Sequence, residues 1–173
     1  MSRPSSTRGR TGDRADAAAG RITVGVGELA VTDDAAVLTT SGLGSCVAVA
    51  IVDERRAVRG LLHAMLPTAE ASRTVDARPA KYVDAGVESL VDELRAAGAS
   101  PAAMRARIAG GAEMLDLTEA VGPRNVERAE RCLDAAGVRV VARDVGDAIG
   151  RTVRLRPDGR LVVRAADGFE RTL

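Results

Sequence analysis

A chain of 173 residues with 25 Lys and Arg, 24 Asp and Glu and a net charge of +1 suits one domain with a sizeable core, and argues against a nucleic-acid binder held by a general phosphate field. Two Cys far apart and a single His suggest neither a disulfide scaffold nor a zinc site, and no cofactor is expected. No apolar run approaches the length of a membrane span and the N-terminus lacks the apolar centre of a signal peptide, so a cytoplasmic protein with free thiols and no membrane insertion is expected.

Residues 1–21 are rich in Arg, Ser, Gly, Asp and Ala and read as a disordered N-terminal extension. Short strands are expected at 22–24 and 29–31. Another, over 37–40, leads into a Gly-rich loop. Residues 47–52 are nearly all apolar, as in a strand covered on both faces. A polar break over 53–56 separates it from a partner strand over 58–66, ended by Pro67. Residues 68–80 read as a loop at the rim of a site.

Val83, Val87, Leu90, Val91 and Leu94 form one stripe at helical spacing and predict a helix over 81–97, with Gly98 as its cap. A short helical turn at Ser100-Pro101 precedes a strand over 105–109 that runs into Gly110-Gly111. A second helix, with Pro123 as its opening, is expected over 125–136, burying Val126, Ala129, Leu133 and Ala136, with Cys132 as a small buried hydrophobe beside them. A strand over 138–143 follows. Pro157-Asp158-Gly159 is a turn signal joining strands over 152–155 and 161–164. The last nine residues, 165–173, read as a frayed tail with Phe169 as a docking side chain. Many strands with two substantial helices indicate an α+β domain over 22–164.

The stretch around which these elements are arranged is Thr39-Thr40-Ser41-Gly42-Leu43-Gly44-Ser45-Cys46. Gly42 and Gly44 allow a tight loop, and successive N–H groups in such a loop can converge on an anion. A thiol beside convergent donors is the layout that acyl transfer needs. If the following turn is centred on Glu54-Arg55, Cys46 lies directly opposite His63, the one histidine, on the same face. A thiol and its base would then be in reach of each other. Read from these residues alone, Cys46 as a core hydrophobe and His63 as an ordinary half-buried strand residue stay open.

An ordered set of motifs resembles the CheD family of chemoreceptor glutamine deamidases. Gly42-Leu43-Gly44-Ser45-Cys46 is followed by His63-Ala64-Met65-Leu66-Pro67, Lys81-Tyr82-Val83-Asp84-Ala85 and Gly110-Gly111-Ala112-Glu113-Met114. Gly122-Pro123-Arg124-Asn125-Val126 and Asp144-Val145-Gly146 through Gly150-Arg151 complete the order. Asp147 stands where the family usually has a second Gly, and Ala109 replaces a common aromatic. The resemblance implies a layered fold with helices packed on β-sheet, like other cysteine deamidases. It implies Cys46 as nucleophile, His63 as base and Thr40 as the third residue of the set, since Thr39 would face the other way in a strand. Gly42, Gly44 and Ser45 would shape or supply the oxyanion site. The implied activity is hydrolysis of glutamine side-chain amides in the cytoplasmic part of chemoreceptors, and the family commonly binds CheC. A non-catalytic adaptor for receptors or CheC, or another thiol hydrolase, are the competing readings.

Overall fold

The computed structural model describes residues 19–69, 78–114 and 120–173; most of the expected N-terminal extension and of the rim loop lies outside them. Among the described residues, ten strands and two α-helices make three layers, an α+β arrangement with helices, an inner sheet and an outer sheet. The strands are β1 (Arg21–Thr23), β2 (Glu28–Thr32), β3 (Val37–Leu43), β4 (Val47–Asp53), β5 (Val58–Ala64), β6 (Met104–Gly110), β7 (Arg139–Val145), β8 (Arg151–Leu155), β9 (Leu161–Ala165) and β10 (Glu170–Thr172). The helices are α1 (Val83–Ala96) and α2 (Val121–Ala135). The inner sheet runs β2-β5-β4-β6-β7 and the outer sheet β1-β3-β8-β9-β10.

Strand β4 is the centre of this stack, and its apolar run explains why. Every residue from Val47 to Asp53 is buried. Side chains alternate between faces along a strand. Val47, Val49 and Ile51 join the core beneath the helices, with Leu62, Leu90, Leu94, Ile108 and Leu133. Ala48, Ala50 and Val52 point into the core between the sheets, with Leu38, Leu61, Val153, Leu155 and Leu161. The small Ala pair allows the outer sheet to sit close, and the stripe of α1 covers the other face.

Four expectations are corrected. The β4–β5 turn is not centred on Glu54-Arg55: Asp53 pairs with Val58, so residues 54–57 form the loop and Ala48, rather than Cys46, lies opposite His63. Asp53 Oδ1 accepts from the N–H groups of Arg55 and Arg56, and Ala57 takes φ 54°, which closes a four-residue turn instead of a two-residue one. Helix α2 starts four residues before the expected Asn125, because Pro123 falls in its first turn, where no intrahelical donor is needed. Strand β3 continues through the glycine loop to Leu43, with a bulge between Thr40 and Leu43 and Gly42 at φ 72°. The tail does not fray: Glu170–Thr172 pair antiparallel with β9, while Phe169 stays 62% exposed rather than docking.

Candidate active site

The shift of the hairpin register is two residues, so it preserves the face. Cys46 lies just before β4, and its carbonyl accepts from Gly111 N–H at 2.8 Å, continuing the β4–β6 ladder by one step. Its side chain therefore shares the orientation of Ala48, and it packs against the core between the sheets. His63, opposite Ala48, projects into the same layer and is 0% exposed. The two residues are diagonal neighbours across the hairpin, a relation that places Cα atoms roughly 7–8 Å apart and long side chains in reach of each other.

The outer sheet supplies the third residue. Thr40, 1% exposed, comes from β3, and its Oγ1 lies 2.7 Å from His63 Nδ1 in a buried hydrogen bond. Thr39 turns away, and its hydroxyl donates to Val153 O at 3.0 Å. The bond to Thr40 fixes the imidazole and leaves Nε2 buried without a hydrogen-bond partner. A buried polar atom of that kind requires an explanation. Burial holds His63 down at about 4, and burial also raises the Cys46 thiol above its ordinary value, against a smaller opposing effect from its own backbone N–H. Both shifts favour the neutral forms of the two groups.

The loop before Cys46 is held from its inner side. Gly44 O accepts from Ala112 N–H at 2.9 Å, Ser45 O from Asn125 Nδ2 at 2.9 Å and Cys46 O from Gly111 N–H. In a trans peptide, N–H points opposite to the preceding C=O. Each following N–H, of Ser45, Cys46 and Val47, therefore points away from the donor that occupies the carbonyl before it. Gly44 N–H itself donates to Gly42 O at 3.1 Å. The close approach of β6 depends on Gly110, where a Cβ would stand 2.5 Å from Cys46 O.

The remaining motif segments buttress this loop. Lys81 O accepts from Met65 and Leu66 N–H at 2.9 and 3.2 Å, fixing the chain beyond His63. Gly146 N–H donates to Gly110 O at 3.1 Å, and the buried Arg151 clamps the same turn through Asp144 Oδ1 at 3.1 Å and Gly146 O at 3.0 Å. Asp147, standing where a glycine is usual in the family pattern, takes φ 56°, a left-handed conformation that Asp tolerates better than most side chains. Sequence reading missed the buried Asn125 and Arg151. Each carries a polar side chain inward from an element whose apolar pattern gave no hint of it.

Among the described residues no three His, Cys, Asp or Glu side chains are grouped to hold a metal ion, and no helix is long and apolar enough to cross a membrane.

The CheD family model, described as CheD chemotactic sensory transduction, matches residues 65–165. A protein of Haloarcula marismortui named probable chemoreceptor glutamine deamidase CheD is 45% identical over 157 residues, 88% of this chain and 90% of its own. A protein of the same name from Oceanobacillus iheyensis is 36% identical over 146 residues, covering 82% and 88%. The chemoreceptor glutamine deamidase CheD of Bacillus subtilis is 33% identical over 159 residues, covering 88% and 95%. With the family model spanning more than half of its length and full-length relatives above 30% identity, the chain belongs to the CheD family.

Proposed function

We propose that this protein is a protein-glutamine glutaminase that hydrolyses glutamine side-chain amides of chemotaxis receptors to glutamate, through a thioester on Cys46. The observation that carries this reading is the buried, unpartnered Nε2 of His63 on the face that also bears Cys46. Cys46 Sγ is the partner assigned to that nitrogen.

For Nε2 to act as a base it must be unprotonated, so Nδ1–H donates to Thr40 Oγ1. The thiol gives its proton to Nε2 as sulfur attacks the amide carbon. The oxyanion that forms faces the N–H groups of Ser45 and Cys46, in a loop shaped by Gly42 and Gly44. Collapse of this intermediate breaks the C–N bond, and His63 returns the proton to the departing ammonia. Water then attacks the thioester with His63 again as base, and the C–S bond breaks to give glutamate and the free thiol. Burial that lowers the proton affinity of His63 makes its imidazolium the more ready to return the proton to the leaving amine. The reaction belongs in the reducing cytoplasm, where the thiol stays free. A CheC-type partner rests on the family resemblance alone.

The test is mass spectrometry of a purified receptor cytoplasmic fragment after incubation with the protein. A gain of about one mass unit at particular Gln residues is the expected result. Backbone cleavage points instead to a peptidase, and an unchanged fragment that still binds points to an adaptor.

A further inference from the structure

The Gly122-Pro123-Arg124-Asn125-Val126 segment takes no part in the bond changes above, yet it places a fully enclosed carboxamide beside them. Asn125 is 0% exposed, and its Nδ2 donates to Ser45 O and to Met65 O, both at 2.9 Å. Both partners are acceptors, so the nitrogen side of the amide must face them. The two carbonyls lie next to the reacting residues: Ser45 precedes Cys46, and Met65 follows His63 by two positions.

The location of this bridge is informative. The β4–β5 ladder ends at Val47 with Ala64, and the next step would pair Cys46 with Met65. At that point the chain after β5 turns to Lys81, whose carbonyl takes Met65 N–H. The hairpin thus opens where the thiol must meet the imidazole, and Asn125 spans the opening. Its other end is rigidly seated, since a Cβ at Gly122, in the same helical turn, would stand 2.3 Å from Ala112 O. Asn125 Oδ1, meanwhile, is buried without a partner. An unpaired buried acceptor is unfavourable. The side chain is therefore placed for its two donated bonds, not as convenient filling.

We propose that Asn125 is a positioning residue of the thiol site, whose amide staples the open end of the β4–β5 hairpin and so sets the separation of Cys46 from His63 and the direction of the Ser45–Cys46 peptide. This rests on the reading of Cys46 and His63 as the reacting pair. Displacement of reacting groups by about 1 Å can cost on the order of 100-fold in rate.

Asn125→Ala should therefore lower kcat for receptor deamidation about 10- to 100-fold with KM changed less than about twofold. Labelling of Cys46 by iodoacetamide at neutral pH, which needs no receptor, should slow in parallel. Leu133→Ala is the control: it removes buried volume from the same helix without touching the loop, and should lower Tm while keeping kcat and labelling near wild type. Asn125→Ser, smaller but polar, provides a second variant. Wild-type kcat and labelling in either folded Asn125 variant overturns the proposal. So does a kcat loss in Leu133→Ala that matches its Tm loss as the Asn125 variants do, or failure of both Asn125 variants to fold while Leu133→Ala folds. Persistent deamidation by Cys46→Ala sinks the thiol reading instead, and the labelling rates still decide whether Asn125 holds the loop.

Discussion

The protein has two half-buried cysteines in surroundings that look comparable by simple measures. Cys132 lies in a groove of about 470 Å³ between α1 and α2, lined by Asp84, Glu88, Asp92, Val87 and Ala136 among others. Burial raises its thiol, Arg128 opposes this, and Asp84 and Glu88 add to it. Burial also raises Cys46. Both thiols are pushed in the same direction, so thiol acidity does not separate the two. What differs is the setting of each residue: Cys46 shares a strand face with His63, whose ring is bonded to Thr40, whereas Cys132 lies on a helix face near Asp84 and Glu88.

The largest effect that could break this comparison is removal of each sulfur. Cys46→Ala should reduce receptor deamidation to background, because no thioester can form, whereas Cys132→Ala should keep a rate within about twofold of wild type. Ammonia release from a receptor fragment measures both. An active, folded Cys46→Ala protein would remove the distinction between the two thiols altogether. In the wild-type protein, limited iodoacetamide should label Cys46 ahead of Cys132 for the same reason.

How far the comparison was legible beforehand follows from the physics of each element. Strand β4 and the stripe of α1 were readable because apolar side chains must be buried and the two periods differ. The face of Cys46 and His63 was readable, but their register was not: it was set by the Asp53 carboxylate capping two N–H groups and by Ala57 in a left-handed conformation, neither of which leaves a hydropathy signal. Strand β10 leaves no hydropathy signal because Glu170, Arg171 and Thr172 are all exposed; it is held by its backbone pairing with β9 and by Glu170 reaching Arg154 at 3.5 Å. In the sequence Asn125 stands at the start of the helical period, a position at which a polar side chain normally reaches water. Its burial is a consequence of α2 starting earlier and packing its first turn under the loop. Thr40 was singled out through the family resemblance; only the folded chain brings β3 of one sheet against β5 of the other.

The next effect concerns the base. His63→Gln should lower the deamidation rate by roughly 10²–10⁴-fold, the usual contribution of general acid–base catalysis. The pH dependence sharpens this. His63 has a folded value of about 4 against an ordinary 6.5. Between those values the unfolded chain binds a proton that the folded chain excludes. Stability should therefore be fully present above pH 6.5 and fall as pH drops toward 4, by up to roughly 1.4 kcal/mol per pH unit. Chemical denaturation at pH 7, 5.5 and 4.5 should show this slope in the wild type and a flatter one in His63→Gln. The acid limb of kcat/KM should likewise lie near pH 4 to 5. A limb centred at 6.5 would mean that the imidazole titrates in contact with water and is not the buried group described here.

The smallest effect isolates the hydrogen bond that orients the ring. Thr40→Val preserves volume and β-branching but leaves His63 Nδ1 without its partner at 2.7 Å. Both reacting groups remain, so the loss is that of one buried hydrogen bond, about 1 kcal/mol and up to about tenfold in kcat. Thr39→Val removes a neighbouring hydroxyl that bonds Val153 O instead, and should cost comparable stability with kcat near wild type. Thr40→Ser keeps the oxygen and should restore most of the rate. A kcat loss shared equally by Thr39→Val and Thr40→Val would assign both hydroxyls to holding the sheet together. A loss confined to Thr40→Val and reversed by Thr40→Ser ties the outer sheet to the thiol chemistry through one imidazole nitrogen.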